Sequence, residues 1–161
     1  MVNLQGIKNF TKEEKLKYMV ILAEGQLSSE KNFISNLSNL SSIINACIED
    51  CNWVGFYLME DGELVVGPFQ GLPACNRIQI GKGVCGTSVL EDKVIRVEDV
   101  HNFAGHIACD SASRSEIVIP IKSHGKTIGV LDIDSPSIGR FSEIEENYLL
   151  KVVEKIEKYI D

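Results

Sequence analysis

Several features of common protein classes are missing from this sequence of 161 residues. No apolar run approaches the roughly 18 residues of a membrane helix, and the N-terminus MVNLQGIKNF lacks the apolar segment of a signal peptide. Basic residues are also scarce, because 16 Lys and Arg stand against 23 Asp and Glu, for a formal net charge of −7. Since phosphate binding needs clustered basic side chains, we do not expect the protein to bind nucleic acid. Because it lacks a membrane helix and a signal segment, we expect a cytoplasmic protein that does not bind a membrane.

Repeats, low-complexity segments and linkers are absent as well. The chain is long enough for one domain with a good core and short for two. Its 44% hydrophobic and 24% charged residues are typical of a folded protein. We expect a single domain over residues 1–161, with N-terminal helices at about 11–50, a sheet with its active-site loops at about 52–135 and a C-terminal helix at about 142–160.

Two helix N-termini are marked by capping boxes, in which a Ser or Thr precedes a Glu by three residues. Thr11 with Glu14 predicts a helix that runs to about Ala23. Ser142 with Glu145 predicts the start of the C-terminal helix.

A second stripe of apolar residues at helical spacing follows the first helix and is expected to break near Ser41 and Ser42. Strand and turn patterns fill the middle of the chain. Helices at both ends around an antiparallel sheet predict an α+β fold, with the helices on one face.

The last two predicted strands, SEIVIPIK and KTIGVLDID, form a hairpin around the segment SHG. A two-residue His124–Gly125 turn would pair Ile117 with Asp132 and mix apolar with polar side chains on each face. A longer connection or a bulge would keep Ile117 beside Ile133. We expect that register because it buries one face consistently.

In the expected register, Glu116, Asp132 and Asp134 share one face of the hairpin. Three neighbouring carboxylates repel one another unless a cation binds or one of them is protonated. The alternative is a solvent-exposed face with ordinary acids, and the pattern alone leaves both interpretations open.

The five cysteines are an odd number, and cytoplasmic thiols are usually reduced, so a disulfide framework is not expected. Cys47 and Cys51 lie at the end of a helical stripe and just before a strand, which is typical of core packing. Cys75, Cys85 and Cys109 lie in loops or at element starts beside small residues, which favours redox or nucleophilic chemistry.

Position and spacing say more about the loop cysteines. Cys85 lies near the start of a short predicted helix, where the helix dipole could stabilise a thiolate. A zinc site that uses the three loop cysteines and His106 is the alternative. Because the sequence has no Cys-x-x-Cys pair, we expect neither a metal nor a cofactor.

Six sequence blocks carry a resemblance to a known family. They read NWVGFYL, LVVGPFQG, ACNRIQIGKGVCGTS, VEDVHNFAGHIACDSASRSEIVIPI, IGVLDIDS and GRFSEIEE. From about Asn52 onward they closely resemble the GAF-domain family of free methionine-(R)-sulfoxide reductases. The resemblance implies a GAF fold, with a central antiparallel sheet, helices on one side and a covered ligand cavity on the other. It also implies an oxidoreductase that reduces free methionine-R-sulfoxide to methionine.

The resemblance also implies roles for individual residues. Cys109 matches the catalytic cysteine, Cys75 the resolving cysteine and Cys85 the third cysteine of the family. The other matched positions are the acidic active-site residues Glu116, Asp132 and Asp134 and the cavity-lining aromatics Trp53 and Tyr57.

The implied reaction cycle needs two thiols. Cys109 attacks the sulfoxide and becomes a sulfenic acid, Cys75 then closes a disulfide, and thioredoxin or a similar dithiol reopens it. The acids would bind the substrate ammonium group and supply a proton. The sequence leaves the oligomeric state open, with a homodimer as one alternative. The alternative function is a non-catalytic GAF sensor or binding domain, because a fold alone does not decide function.

Overall fold

The computed structural model describes residues 4–105, 107 and 109–160. Four α-helices and six β-strands form in this part of the chain. The helices are α1 Lys12–Ser29, α2 Phe33–Cys47, α3 Gly83–Glu91 and α4 Glu143–Tyr159. The strands are β1 Trp53–Glu60, β2 Glu63–Gly71, β3 Arg77–Gln79, β4 Ile95–Val97, β5 Ser115–Ser123 and β6 Lys126–Ser135. The strands pair antiparallel in the order β3-β2-β1-β6-β5-β4.

Both predicted capping boxes form. In each, the hydroxyl accepts a hydrogen bond from the amide three residues later, and the glutamate there accepts from the cap amide. The first helix runs six residues beyond the predicted end at Ala23. The expected break near Ser41 is wrong: α2 is continuous, because the Ser41 hydroxyl donates to the carbonyl of Ser38 at 2.8 Å and so needs no other partner.

The β5–β6 hairpin contains both the two-residue turn and a bulge, which the sequence patterns presented as alternatives. The two-residue His124–Gly125 turn is present, and both of its residues have positive φ, as such turns require. A bulge after Ile121 then leaves one extra residue, Ile128, in β6. Beyond the bulge Ile117 lies opposite Ile133, so the expected register is confirmed.

The sheet has two buried faces. Isoleucines and leucines of β5 and β6 lie on one face and belong to a core shared with α1, α2 and α4. The other face carries Trp53, Tyr57, Val118 and Val130, and it packs against α3. The predicted arrangement of helices on one side and a covered cavity on the other is confirmed, with α3 as part of the cover. No helix among residues 4–105 and 109–160 is long and apolar enough to span a membrane.

Candidate active site

A cavity opens on the face of the sheet that α3 covers. Its floor comes from β1, β5 and β6, and its walls come from the start of α3, the segment before β3 and the segment before β5. Five of the predicted site residues on strands line it, namely Trp53, Tyr57, Glu116, Asp132 and Asp134. The helix residue Cys85 and the loop residue Cys109 also line it. The strands β1, β5 and β6, the start of α3 and the segment before β5 therefore bring these predicted residues together.

The three acids form a cluster in which Glu116 and Asp132 are buried and Asp134 is half-buried. Glu116 lies directly opposite Asp134 on the neighbouring strand. Asp132 precedes Asp134 by two residues, so it lies on the same face of β6. Glu116 is 6% exposed and Asp132 is 5% exposed, so the alternative of a solvent-exposed acidic face is wrong.

Burial changes the protonation of these acids. The loss of hydration disfavours the charged form and raises the pKa of Glu116 and of Asp134 well above their usual range, and the charge of Asp132 raises both further. Burial also raises the pKa of Asp132 to about 7, although hydrogen bonds from Cys85 and Glu116 oppose the shift. At neutral pH the cluster therefore retains protons that it can donate.

Cys85 belongs to this cluster. It is the third residue of α3, it is 3% exposed, and its Sγ lies 3.8 Å from Glu116 Oε1. Burial and the charges of Asp132 and Glu116 raise the pKa of its thiol well above the usual value. The expectation that the helix dipole stabilises a Cys85 thiolate is wrong, because loss of hydration and two nearby carboxylates outweigh the dipole.

One set of donor atoms at the floor of the cavity could hold a metal ion. Ligand atoms of Cys85, Glu116 and Asp132 lie within 4.8 Å of one another, and no other such group of three occurs among the described residues. The zinc alternative drawn from the sequence used a different set. Two of its cysteines, Cys75 and Cys109, are bonded to each other here, and His106 lies outside the described residues.

A disulfide joins Cys75 to Cys109 at the edge of the cavity, with their Cα atoms 5.4 Å apart and a sequence separation of 34. The segment that holds Cys75 is anchored to the sheet, because the Tyr57 hydroxyl donates to the Cys75 carbonyl at 3.0 Å. The bond links the segment before β3 to the segment before β5. The residues that the sequence identified as resolving and catalytic cysteines are thus in bonding distance.

The aromatic wall is a stack of three rings. Trp53 lies against Tyr57 at 5.7 Å and against Phe69 at 5.1 Å between ring centroids. Gly55 makes this packing possible, since a Cβ there would lie 2.6 Å from the Trp53 ring. The indole Nε1 of Trp53 is buried and has no partner among the described residues. Sequence reasoning missed Phe69, which lies in the block LVVGPFQG but was assigned no role there.

Cys47 and Cys51 are free and contribute to the helix-side core, as expected for packing residues. Burial raises the pKa of Cys47 to about 11 and of Cys51 to about 12, so both stay protonated at neutral pH. Neither lines the cavity described above.

Comparison with known proteins points to one family. The family model of the GAF domain matches residues 45–160. The free methionine-R-sulfoxide reductase of Escherichia coli is 51% identical over 134 residues, which cover 83% of this chain and 81% of that protein.

Solved structures agree with the sequence comparison. The reduced form of fRMsr of Staphylococcus aureus matches with a TM-score of 0.88 and 49% identity over 91% of this chain and 95% of that one. The free methionine-R-sulfoxide reductase from Neisseria meningitidis in complex with its substrate matches with a TM-score of 0.89 and 38% identity, covering 93% and 90% of the two chains.

Proposed function

Since the chain belongs to the GAF-domain family and, within it, to the free methionine-R-sulfoxide reductases, we propose that it reduces free L-methionine-R-sulfoxide to L-methionine. One observation carries this proposal beyond the fold. A cysteine pair that forms a disulfide borders a cavity with buried acids on its floor and aromatic rings on its wall. A non-catalytic GAF sensor would need no such cysteine pair.

Recognition of a free amino acid is supported by the charges in the cavity. Its described lining contains Glu116, Asp132 and Asp134 and no Lys or Arg. A substrate ammonium group would meet these acids, and Asp132 Oδ1 is buried without a partner among the described residues. An amide-linked methionine inside a protein has no such ammonium group, so the cluster favours the free amino acid.

The aromatic wall suits the other end of the substrate. Trp53 and Tyr57 offer ring faces on which the methyl group and the polarised sulfur can pack. The unpartnered Trp53 Nε1 is a donor that can bind a sulfoxide or carboxylate oxygen. We assign both residues to substrate binding.

The reaction begins at Cys109. Its sulfur attacks the sulfoxide group, the sulfur–oxygen bond of the substrate breaks, methionine leaves, and the oxygen remains on Cys109 as a sulfenic acid. Glu116 or Asp134, each with a raised pKa, protonates the oxygen as the bond breaks. Because burial and mutual repulsion raise the pKa of these acids, they penalise the Cys109 thiolate less than carboxylates with ordinary pKa values would.

Cys75 completes the cycle. Its thiol attacks the sulfenic sulfur of Cys109, a disulfide forms, and the oxygen departs as water. The 5.4 Å separation of the two Cα atoms suits this bond. Two electrons from a cellular dithiol, for which we propose thioredoxin, then reopen it. Cys85 stays outside the exchange as a thiol, hydrogen-bonded within the acid cluster.

Other sequence predictions remain predictions. These are a single domain over residues 1–161 and a cytoplasmic location, and a homodimer stays one alternative. The family model matches residues 45–160, and helix α1 lies before that range.

A turnover assay tests the function directly. The protein, dithiothreitol and free methionine-R-sulfoxide should release methionine over many turnovers. The S epimer and an N-acetylated, amide-capped R-sulfoxide are matched controls, and both should react at least about tenfold more slowly because they lack the fitted stereochemistry or the ammonium group. Equal rates on the capped substrate would contradict recognition of a free amino acid.

A further inference from the structure

Asn52, the residue before β1, contacts the segment that holds Cys109. Its side-chain Nδ2 donates to Asp110 Oδ2 at 2.9 Å and to Ser113 Oγ at 3.0 Å. Its backbone amide donates to the carbonyl of Asp134 at 3.0 Å. One residue therefore joins the neighbour of the proposed nucleophile to the strand that carries an active-site acid.

Apart from the contacts with Asn52, the Cys75–Cys109 bond and a hydrogen bond between Ser113 and Asp134, the described bonds of the segment 109–113 are local. The amide of Cys109 donates to Ile107, the amide of Ala112 donates to Asp110 Oδ1, and the amide of Ser113 donates to the Asp110 carbonyl, so these bonds lie within the segment or its immediate neighbour. After it, the amide of Arg114 donates to β6. Among the described residues, Asn52 is the hydrogen-bond partner that connects Asp110 to the rest of the fold.

The same contact reaches the acid cluster. Ser113, which accepts from Asn52, is also hydrogen-bonded to Asp134, and this bond lowers the pKa of Asp134 against the larger effect of burial. Asn52 Oδ1 is buried and has no partner among the described residues. A buried polar atom without a partner costs stability, so a position that keeps one is better explained by function than by folding.

We infer that Asn52 is a positioning residue that holds the Cys109 segment over the acid cluster by its amide contacts with Asp110 and Ser113. The inference rests on the proposed function for its role in turnover. Nucleophilic attack depends steeply on placement, so a displaced segment should slow the reaction of Cys109 and its closure with Cys75.

A reciprocal exchange tests the inference. Asn52→Asp keeps the shape of the side chain but sets two carboxylates against each other. The double variant Asn52→Asp with Asp110→Asn restores an amide–carboxylate pair with its direction reversed. Asn39→Asp, on the exposed side of α2, adds the same charge far from these contacts and is the matched control.

Two reactions are measured on the reduced proteins. The first is the rate of the first equivalent of methionine released from free methionine-R-sulfoxide. The second is the rate at which hydrogen peroxide, which oxidises Cys109 to a sulfenic acid with loss of hydroxide, leads to the Cys75–Cys109 disulfide with loss of water. The peroxide reaction reports the placement of Cys109 without any substrate.

Asn52→Asp should slow both reactions by about tenfold, the double variant should return to within about threefold of wild type, and Asn39→Asp should match wild type. If Asn52→Asp forms the Cys75–Cys109 disulfide at the wild-type rate, the inference is overturned. It is also overturned if Asn52→Asp is slow and the double variant does not restore the rate. If Asn52→Asp fails to fold, Asp110→Ala removes the same contact from the other side and should be slow as well. If wild type closes with peroxide but does not turn over the sulfoxide, the proposed function fails and the positioning role is still tested.

Discussion

One buried acid and a cluster of three acids lie on opposite sides of the sheet and have different hydrogen-bond partners. Glu145, in the first turn of α4, is fully buried, and its oxygens accept hydrogen bonds from Arg140 and from the amide and hydroxyl of Ser142. Lys12 lies 3.2 Å from it. In the cavity, Glu116, Asp132 and Asp134 have no basic side chain in the described lining, and Asp132 Oδ1 has no partner there.

The difference in partners appears in the protonation of the two groups. Burial alone would raise the pKa of Glu145, but the hydrogen bonds from Arg140 and Ser142 outweigh it and lower the pKa below the usual value. In the cavity, hydrogen bonds from uncharged groups oppose the effect of burial without cancelling it, and the pKa values rise. A charge that the fold satisfies supports stability, whereas charges left unsatisfied are available to a ligand and to proton transfer.

The largest effect should come from the thiol beside the unsatisfied acids. Cys109→Ser should release no methionine, even in a single turnover, because the nucleophile is lost. Cys75→Ser should release about one equivalent and then stall, because only recycling needs the second thiol. Cys51→Ala, in the helix-side core, should keep activity within a few-fold. Methionine is measured after mixing with excess reduced protein, and a full first turnover by Cys109→Ser would reverse the two assignments.

The satisfied acid should show its importance in folding rather than in catalysis. Glu145→Ala leaves the largely buried Arg140 guanidinium without this carboxylate and removes the acceptor of the Ser142 cap, so it should lower the free energy of unfolding by about 3 kcal/mol. Its turnover per folded molecule should stay near wild type. Denaturant titration and the turnover assay are run on the same preparation. An unchanged stability with a strong loss of turnover would contradict the comparison.

The unsatisfied acids should behave in the opposite way. Asp134→Asn and Glu116→Gln should each lower turnover or substrate binding by about tenfold or more, because each removes a proton donor or a charged hydrogen bond. Thermal stability should stay unchanged or rise slightly, since repulsion between carboxylates is relieved. Near-normal activity with a large fall in melting temperature would make the cluster a structural network.

The smallest effect is a difference in pH dependence. Asp132 has a pKa of about 7 in the folded protein against an ordinary value of 3.8, so the folded state binds the proton more tightly. Its contribution to stability is present below about pH 4 and is lost as the pH rises from there through 7. Asp132→Asn should flatten this decline in denaturant titrations between pH 5 and 7.

Glu145 should give the opposite sign in the same experiment. Its lowered pKa means that its contribution is present above its ordinary pKa of 4.5 and is lost as the pH falls further. Glu145→Gln should therefore change the pH dependence in acid only. A flattening near pH 7 by this variant would show that the two groups are not independent.

Patterns of short range predicted much of the fold. The two capping boxes and the period of two in the last hairpin depend on neighbouring residues, and both were confirmed, including the register that places Ile117 opposite Ile133. The family motifs identified the proposed roles of the cysteines and placed them around one cavity. The α2 break was wrong because local signals do not say whether a serine hydroxyl will find a partner inside its own helix.

Contacts between distant segments could not be predicted in the same way. Asn52 and Asp110 are 58 residues apart, and no pattern of neighbouring residues links the two positions. Cys85 was placed near a helix start, but its burial against Glu116 depends on how α3 packs on the sheet. The pKa of its thiol follows from that packing and not from the helix.

The position of Trp53 has a practical consequence. It is the one tryptophan of the chain, and it stacks between Tyr57 and Phe69 in the wall of the cavity. Excitation of indole fluorescence therefore samples this wall and no other region of the protein. Emission intensity can follow, in real time and without a label, both the opening of the nearby Cys75–Cys109 bond and the arrival of a ligand against the ring.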